Sequence, residues 1–189
     1  MAFQFKIQLK NISKPPVWRR VLVPENFTFH HLHKVIQAAF GWYNCHLYEF
    51  SPQGIGSYPY IGIPSEFQWD EEPDMNSTKT KLTKIFKSEK QTFVYTYDFG
   101  DDWKHKITLE LITDDKLSKK ATCIGGKGAC PPEDCGGTWG YESFLETISD
   151  PNHNEYHAMR EWAGLVEGQT WNDFAGFNLE KTNLLLSYV

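Results

Sequence analysis

Between Ala121 and Asp150 the chain reads ATCIGGKGACPPEDCGGTWGYESFLETISD, and this stretch holds three of the four cysteines, six glycines, two consecutive prolines, an acidic pair and a tryptophan. Glycine is unfavourable inside helices and strands, and proline removes a ladder donor, so this composition predicts a shaped loop leading into a helix over 141–148. Ordering such a loop costs conformational entropy and returns little apolar burial. A segment of this kind builds a site or braces one.

A chain of 189 residues suits one domain spanning 1–189, long enough to bury a proper core. Seven Trp, nine Tyr and thirteen Phe supply the large apolar surfaces that a disordered chain lacks. A net charge of -5 and only three arginines, Arg19, Arg20 and Arg160, argue against a broad phosphate-binding face. No apolar run approaches the roughly 20 residues that span a bilayer. The opening MAFQFKIQLK alternates like a strand rather than resembling a signal peptide, so the expected compartment is the cytoplasm, with the cysteines as thiols, buried side chains or metal ligands.

Phe3, Phe5, Ile7 and Leu9 alternate with polar residues at the period of a half-buried strand; a turn over 11–16 and a second strand over 17–23 complete a hairpin. Thr28 is placed to cap a helix in which Leu32, Val35, Ile36, Ala39 and Phe40 share a face, ending at Gly41. Short strands are expected over 47–50 and 58–63, a polar surface loop over 64–78, and a single helical turn at Leu82, Ile85 and Phe86. The clearest strands are 91–99 and 103–112, joined by the tight turn DFGDD. Helices over 155–165 and 178–189 close the chain. The predicted fold is therefore α+β: an N-terminal hairpin and helix, as at the start of a β-grasp, in a mixed or mainly antiparallel sheet flanked by C-terminal helices.

Four blocks, PPVWRRVLVP at 15–24, LHKVIQAAFGWYNCHLYEF at 32–50, YTYDFGDDWKHKI at 95–107 and GACPPEDCGGTWGYESFL at 128–145, resemble the Ri-plasmid ORF-3-like family. Some members of that family carry the label of insertion-element passenger protein or resolvase. The resemblance implies an α+β fold and an association with mobile-element genes.

The resolvase label meets poor chemistry. A serine recombinase needs several arginines around its nucleophile, and here Ser13 precedes only Arg19 and Arg20. Arg19, His157, Arg160 and Tyr188 match the residue types of a tyrosine recombinase, but in a small acidic chain unsuited to wrapping duplex DNA. GGKG at 125–128 lacks the spacing of a phosphate-cradling P-loop.

Two ligand sets remain. Cys123, Cys130 and Cys135, with Cys45, His46 or His153 as a fourth donor, would suit zinc, against the alternative of small buried thiols. Asp98, Asp101, Asp102, His105 and Glu133 would hold a hard cation such as magnesium or supply an acid and a base, against the alternative that the carboxylates bond amides of their own turns. His30, His31 and His33 are read as a solvated first turn rather than as ligands.

Arg19 and Arg20 alternate on a strand, so one points inward and needs a carboxylate partner. Trp18, Trp42, Trp103 and Trp139 are read first as core anchors, and otherwise as groove residues. The leading expectation is a non-catalytic binding or accessory module for a protein or peptide. Its groove lies between DFGDDWKH and ACPPEDCGG and uses Arg19, Trp103, Asp134 and Trp139. The alternative is a metal-dependent phosphoester hydrolase built on the carboxylates and His105. A third reading, DNA binding, requires Arg19, Arg20 and Lys116, Lys119 and Lys120 on one face. Both leading readings require the cysteine-rich stretch to fold over the DFGDD turn.

Overall fold

The structure, a computed structural model, describes residues 1–65, 72–114 and 120–189. Strands β1 (Ala2–Ser13) and β2 (Pro16–Pro24) form the predicted hairpin, paired antiparallel from Ala2↔Pro24 to Gln8↔Trp18. Their alternation buries Phe5, Ile7 and Leu9 beside Val17, Val21 and Val23. Helix α1 (Phe29–Phe40) follows. The Thr28 hydroxyl accepts the His31 amide at its start, and Gly41 adopts φ 85°, the left-handed conformation that glycine enters most cheaply, at its end. Phe29, Leu32, Val35, Ile36 and Phe40 are buried, as the helical spacing requires.

Next come β3 (Tyr48–Ser51), β4 (Ile61–Gly62), β5 (Met75–Asn76), a single 3-10 turn at Leu82–Lys84, β6 (Thr92–Tyr97), β7 (Trp103–Thr113) and β8 (Thr122–Lys127). Among the described residues they form one eight-stranded sheet in the order β5-β4-β3-β6-β7-β1-β2-β8. Every pairing is antiparallel except β4 with β5, so the sheet is mixed. Helices α2 (Gly137–Ser149), α3 (Tyr156–Trp162), α4 (Trp171–Ala175) and α5 (Leu179–Leu186) complete a single-domain α+β fold. A ring cluster fills the core under α1: Phe29 lies 5.0 Å from Phe50, and Phe86 lies 4.7 Å from Phe5. Among the described residues no helix is long and apolar enough to cross a membrane.

The stretch 121–150 corrects its own prediction. Residues 122–127 join β2 as an edge strand, and α2 begins at Gly137; only 128–136 stays irregular. Two of its glycines are required by close approach. A Cβ on Gly126 would sit 2.7 Å from the Phe177 ring, and one on Gly140 would sit 1.8 Å from the Cys135 carbonyl oxygen. The predicted strand over 58–63 shrinks to Ile61–Gly62. In the predicted surface loop over 64–78, residues 66–71 lie outside the described residues, while 75–76 pair with β4 and Ser77 is fully buried. Helix α4 is unforeseen; it is a single capped turn in which Thr170 and Asp173 bond each other's amides.

Candidate functional site

Three segments meet at one end of the sheet: 41–47 after α1, the β6–β7 turn over 98–102, and the irregular loop over 128–136. Tyr97 ties the first to the third. Its buried hydroxyl accepts the amides of Cys45 at 2.9 Å and His46 at 3.3 Å, and donates to Glu133 Oε1 at 2.5 Å. Glu133 Oε2 in turn accepts the Tyr43 amide at 3.2 Å, and the Trp42 indole N–H donates to the Pro131 carbonyl at 3.0 Å.

The turn is organised by Asp98. Its Oδ1 accepts the amides of Gly100 at 3.0 Å and Asp101 at 3.4 Å, and its backbone N–H donates to the Leu47 carbonyl at 2.9 Å. Asp101 Oδ2 accepts the Gly136 amide at 3.2 Å. The next residue, Gly137, has φ 67°, and a Cβ there would lie 2.5 Å from the Asp101 carbonyl oxygen. The cysteine-rich loop therefore rests directly on the hairpin tip.

His46 stands at the centre of this junction. Its Nε2 is 3.1 Å from Asp134 Oδ1 and 3.7 Å from Asp98 Oδ2, and the three ligand atoms lie within 4.8 Å of one another. Asn44, Asp98, Asp102 and Asp134 all hold positive φ, between 54° and 58°. Asn and Asp tolerate that region better than other side chains, which is why the sequence uses them at these corners.

Segment 41–47 divides two clefts. Tyr43 and Cys45 face one of about 550 Å³, while Asn44, His46 and Leu47 face another of about 800 Å³. The wall of the larger cleft is a closed polar network. His33 Nδ1 bonds the Tyr95 hydroxyl at 2.8 Å, its Nε2 bonds Asn44 Oδ1 at 2.6 Å, and its ring stacks on Tyr48 at 3.7 Å. Burial pushes the His33 imidazole down to about 4 and the Tyr48 phenol up to about 12, so both stay neutral near pH 7. Around that wall stand exposed apolar side chains: Leu47 at 67%, Tyr58 at 67% and Phe99 at 47% exposure.

The structure brings Asp98 and Asp134 together and redistributes the other predicted residues. Asp101 holds Gly136, Asp102 pairs with Lys104 at 2.5 Å, and Glu133 is bound to Tyr97. His105 is corrected outright. It is fully buried, edge-on to Phe40 and Trp42, with its imidazole pushed down by burial to about 3, and it belongs to the core rather than to the carboxylates.

Trp103 is likewise core, while Trp139 stands 83% exposed on α2. Arg19 is the inward arginine, but its partners are carbonyls rather than a carboxylate: Ala39 at 2.8 Å, Trp18 and Lys127 at 2.9 Å, and Gly128 at 3.3 Å. Its guanidinium lies between the rings of Phe40 and Phe177. Outward-facing Arg20 pairs with Glu110 at 2.6 Å.

Cys123, Cys130 and Cys135 do not converge. Among the described residues the sole three-donor cluster is His46, Asp98 and Asp134. Burial raises all three thiols, Cys135 to about 12. His33 is also not part of a solvated turn, since it is 1% exposed. Lys116 and Lys119, invoked for DNA binding, lie outside the described residues, and Lys120 donates to the Ser187 carbonyl.

Sequence reasoning gave His46 only as one of several fourth donors, and it passed over Tyr97 and Asn44. The usable signal was GWYNCHL, where Gly41 and Asn44 take left-handed conformations and residues 43–46 alternate between the two clefts.

Comparison with known proteins places the chain among relatives without an assigned activity. The family model described as plasmid pRiA4b ORF-3-like protein matches residues 1–182. The uncharacterized protein y4hQ of Sinorhizobium fredii (strain NBRC 101917 / NGR234) is 37% identical over 161 residues, covering 85% of this chain and 80% of its own length. The crystal structure of MM3350, a protein of unknown function from Methanosarcina mazei Go1, superposes with a TM-score of 0.76 at 35% identity, covering 95% of this chain and 96% of the other.

Proposed function

The chain belongs to the plasmid pRiA4b ORF-3-like family, and we propose that it works as a non-catalytic binding module that grips a basic, partly apolar segment of another protein. The carrying observation is the larger cleft, about 800 Å³, where His33, Asn44 and Tyr48 are held by internal hydrogen bonds while Leu47, Tyr58 and Phe99 stand exposed around them. Large apolar side chains held in water around a concavity are the usual marks of a recognition surface. Asp98, Asp101, Asp102, Glu133 and Asp134 line the adjoining loops, and Lys104 is already paired with Asp102. Lysine or arginine side chains of a partner would find both carboxylates and aromatic faces there.

The hydrolytic alternative loses its proton carrier, because His105 lies in the core. The resolvase reading loses its guanidinium set: Arg19 is buried, Arg20 is paired with Glu110, and Arg160 donates to the carbonyls of Ile148, Val166 and Gln169. Four free cysteines suit action in the reducing cytoplasm.

The test is selection from a random displayed-peptide library on the whole protein, followed by titration of the enriched peptides. Enriched sequences combining Lys or Arg with aromatic or aliphatic residues, bound at least tenfold more weakly by Leu47→Asp and Phe99→Asp, would support this reading. Failure to enrich any sequence, or equal binding by both variants, would overturn it. So would turnover of a phosphodiester by the wild-type protein.

A further inference from the structure

We infer that His46, Asp98 and Asp134 form a site for one divalent first-row transition ion, which clasps the three loops at the junction of the two clefts. The donors come from separate parts of the chain. His46 follows α1, Asp98 ends β6, and Asp134 belongs to the loop before α2. Donors around a common ion at about 2.0–2.1 Å stand about 3.0–3.4 Å from one another. The His46 Nε2 distances of 3.1 Å and 3.7 Å to the two carboxylates already approach that spacing.

Two further observations point to a cation. His46 Nε2 is shielded from solvent and makes no hydrogen bond, although both carboxylate oxygens lie close. Asp98 is 8% exposed; its Oδ1 is occupied by two turn amides, while its Oδ2 lies 3.7 Å from His46 Nε2. A shielded ring nitrogen that faces two carboxylate oxygens without a hydrogen bond is stabilised either by a proton on the ring or by a metal ion held between the three. Lys104, on the neighbouring strand, is engaged by Asp102.

A neutral imidazole and two carboxylates carry two negative charges, which a divalent ion neutralises, with water completing its shell. One nitrogen donor favours a transition ion over magnesium or calcium, which take oxygen. Fixing Asp98 through its second oxygen is the outer-shell support expected of a ligand. The three cysteines have no part in this set.

The test needs no peptide, so its failure leaves the binding-module reading standing. Chelator-stripped protein is titrated with Co²⁺, following d–d absorbance, and bound Co²⁺ is then competed with Zn²⁺ or Mg²⁺. One equivalent is expected, displaced by Zn²⁺ but not by millimolar Mg²⁺, with an accompanying rise in melting temperature. His46→Gln and Asp134→Asn should each weaken binding at least tenfold, while His157→Gln, an exposed histidine on α3, leaves it unchanged. Asp134 has a side chain 71% exposed, so its substitution spares the fold and decides the matter even where His46→Gln does not fold. Absence of stoichiometric binding, or binding that survives Asp134→Asn, overturns the site. Displacement by Mg²⁺ overturns the class of ion.

Discussion

The Tyr97 hydroxyl donates to Glu133 at 2.5 Å across 36 residues of chain, while accepting the amides of Cys45 and His46 on its other side. One oxygen thus holds β6, the segment after α1 and the loop before α2 in a fixed relation. Tyr97→Phe keeps the ring stacked on Trp42 and removes only that oxygen. It leaves two amides and a carboxylate to find other partners, and the expected loss is about 2 kcal/mol or more, read as a lower urea midpoint. An unchanged midpoint would show that water replaces the hydroxyl at no cost.

Arg19 is the second fastening. Its guanidinium donates to four carbonyls, two of them on the start of the site loop at Lys127 and Gly128. Burial lowers its pKa, yet an arginine at its usual 12.5 has ample margin to remain charged near pH 7. Lysine offers three donors from one point and cannot reproduce the planar fork, so Arg19→Lys should cost about 2–4 kcal/mol. Urea unfolding of the two proteins side by side gives the value, and a difference below about 0.5 kcal/mol would refute this account.

Acid should weaken the protein before its carboxylates titrate. Burial depresses His33 to about 4 and His105 to about 3. The folded state keeps these rings neutral while the unfolded chain protonates them below about 6.5, so the unfolded state binds more protons and stability falls as pH drops from about 6.5 towards the folded values. Each contributes a loss of about 2 kcal/mol by pH 5. His30 and His31 shift in the same direction, through burial and then nearby Lys34. Urea curves at pH 7.5, 6.0 and 5.0 measure the slope, and His33→Gln should flatten it; a slope identical in both proteins would rule His33 out as a source.

Gly137→Ala probes the contact between loop and hairpin. The new Cβ would meet the Asp101 carbonyl oxygen at 2.5 Å on a backbone already at φ 67°. The expected cost is about 2 kcal/mol or more, with loss of the Asp101–Gly136 bond, visible as faster amide exchange at Gly136.

The alternation of Phe3 to Leu9, the cap at Thr28, the stop at Gly41 and the DFGDD turn were legible because each is enforced by neighbours within a few residues. The irregular stretch was harder. Its glycines argued for a loop, yet Gly126 sits in an edge strand where Phe177 comes so close that a Cβ would meet the ring at 2.7 Å. No local pattern announces an approach made from fifty residues away. Arg19 misled for a related reason: alternation said that one of Arg19 and Arg20 points inward, but only packing could show which, and that four backbone carbonyls rather than a carboxylate receive it. His105 sat beside three aspartates in sequence, and the two-residue period of β7 turned it to the core instead.

By itself, then, the sequence determined the α+β class and the opening hairpin and helix, since periodicity and turn chemistry act over short separations. Tertiary structure alone decided which side chains meet. His46, Asp98 and Asp134 are brought within 4.8 Å by strand order and by Tyr97, and strand order depends on long-range pairing that composition and spacing do not encode.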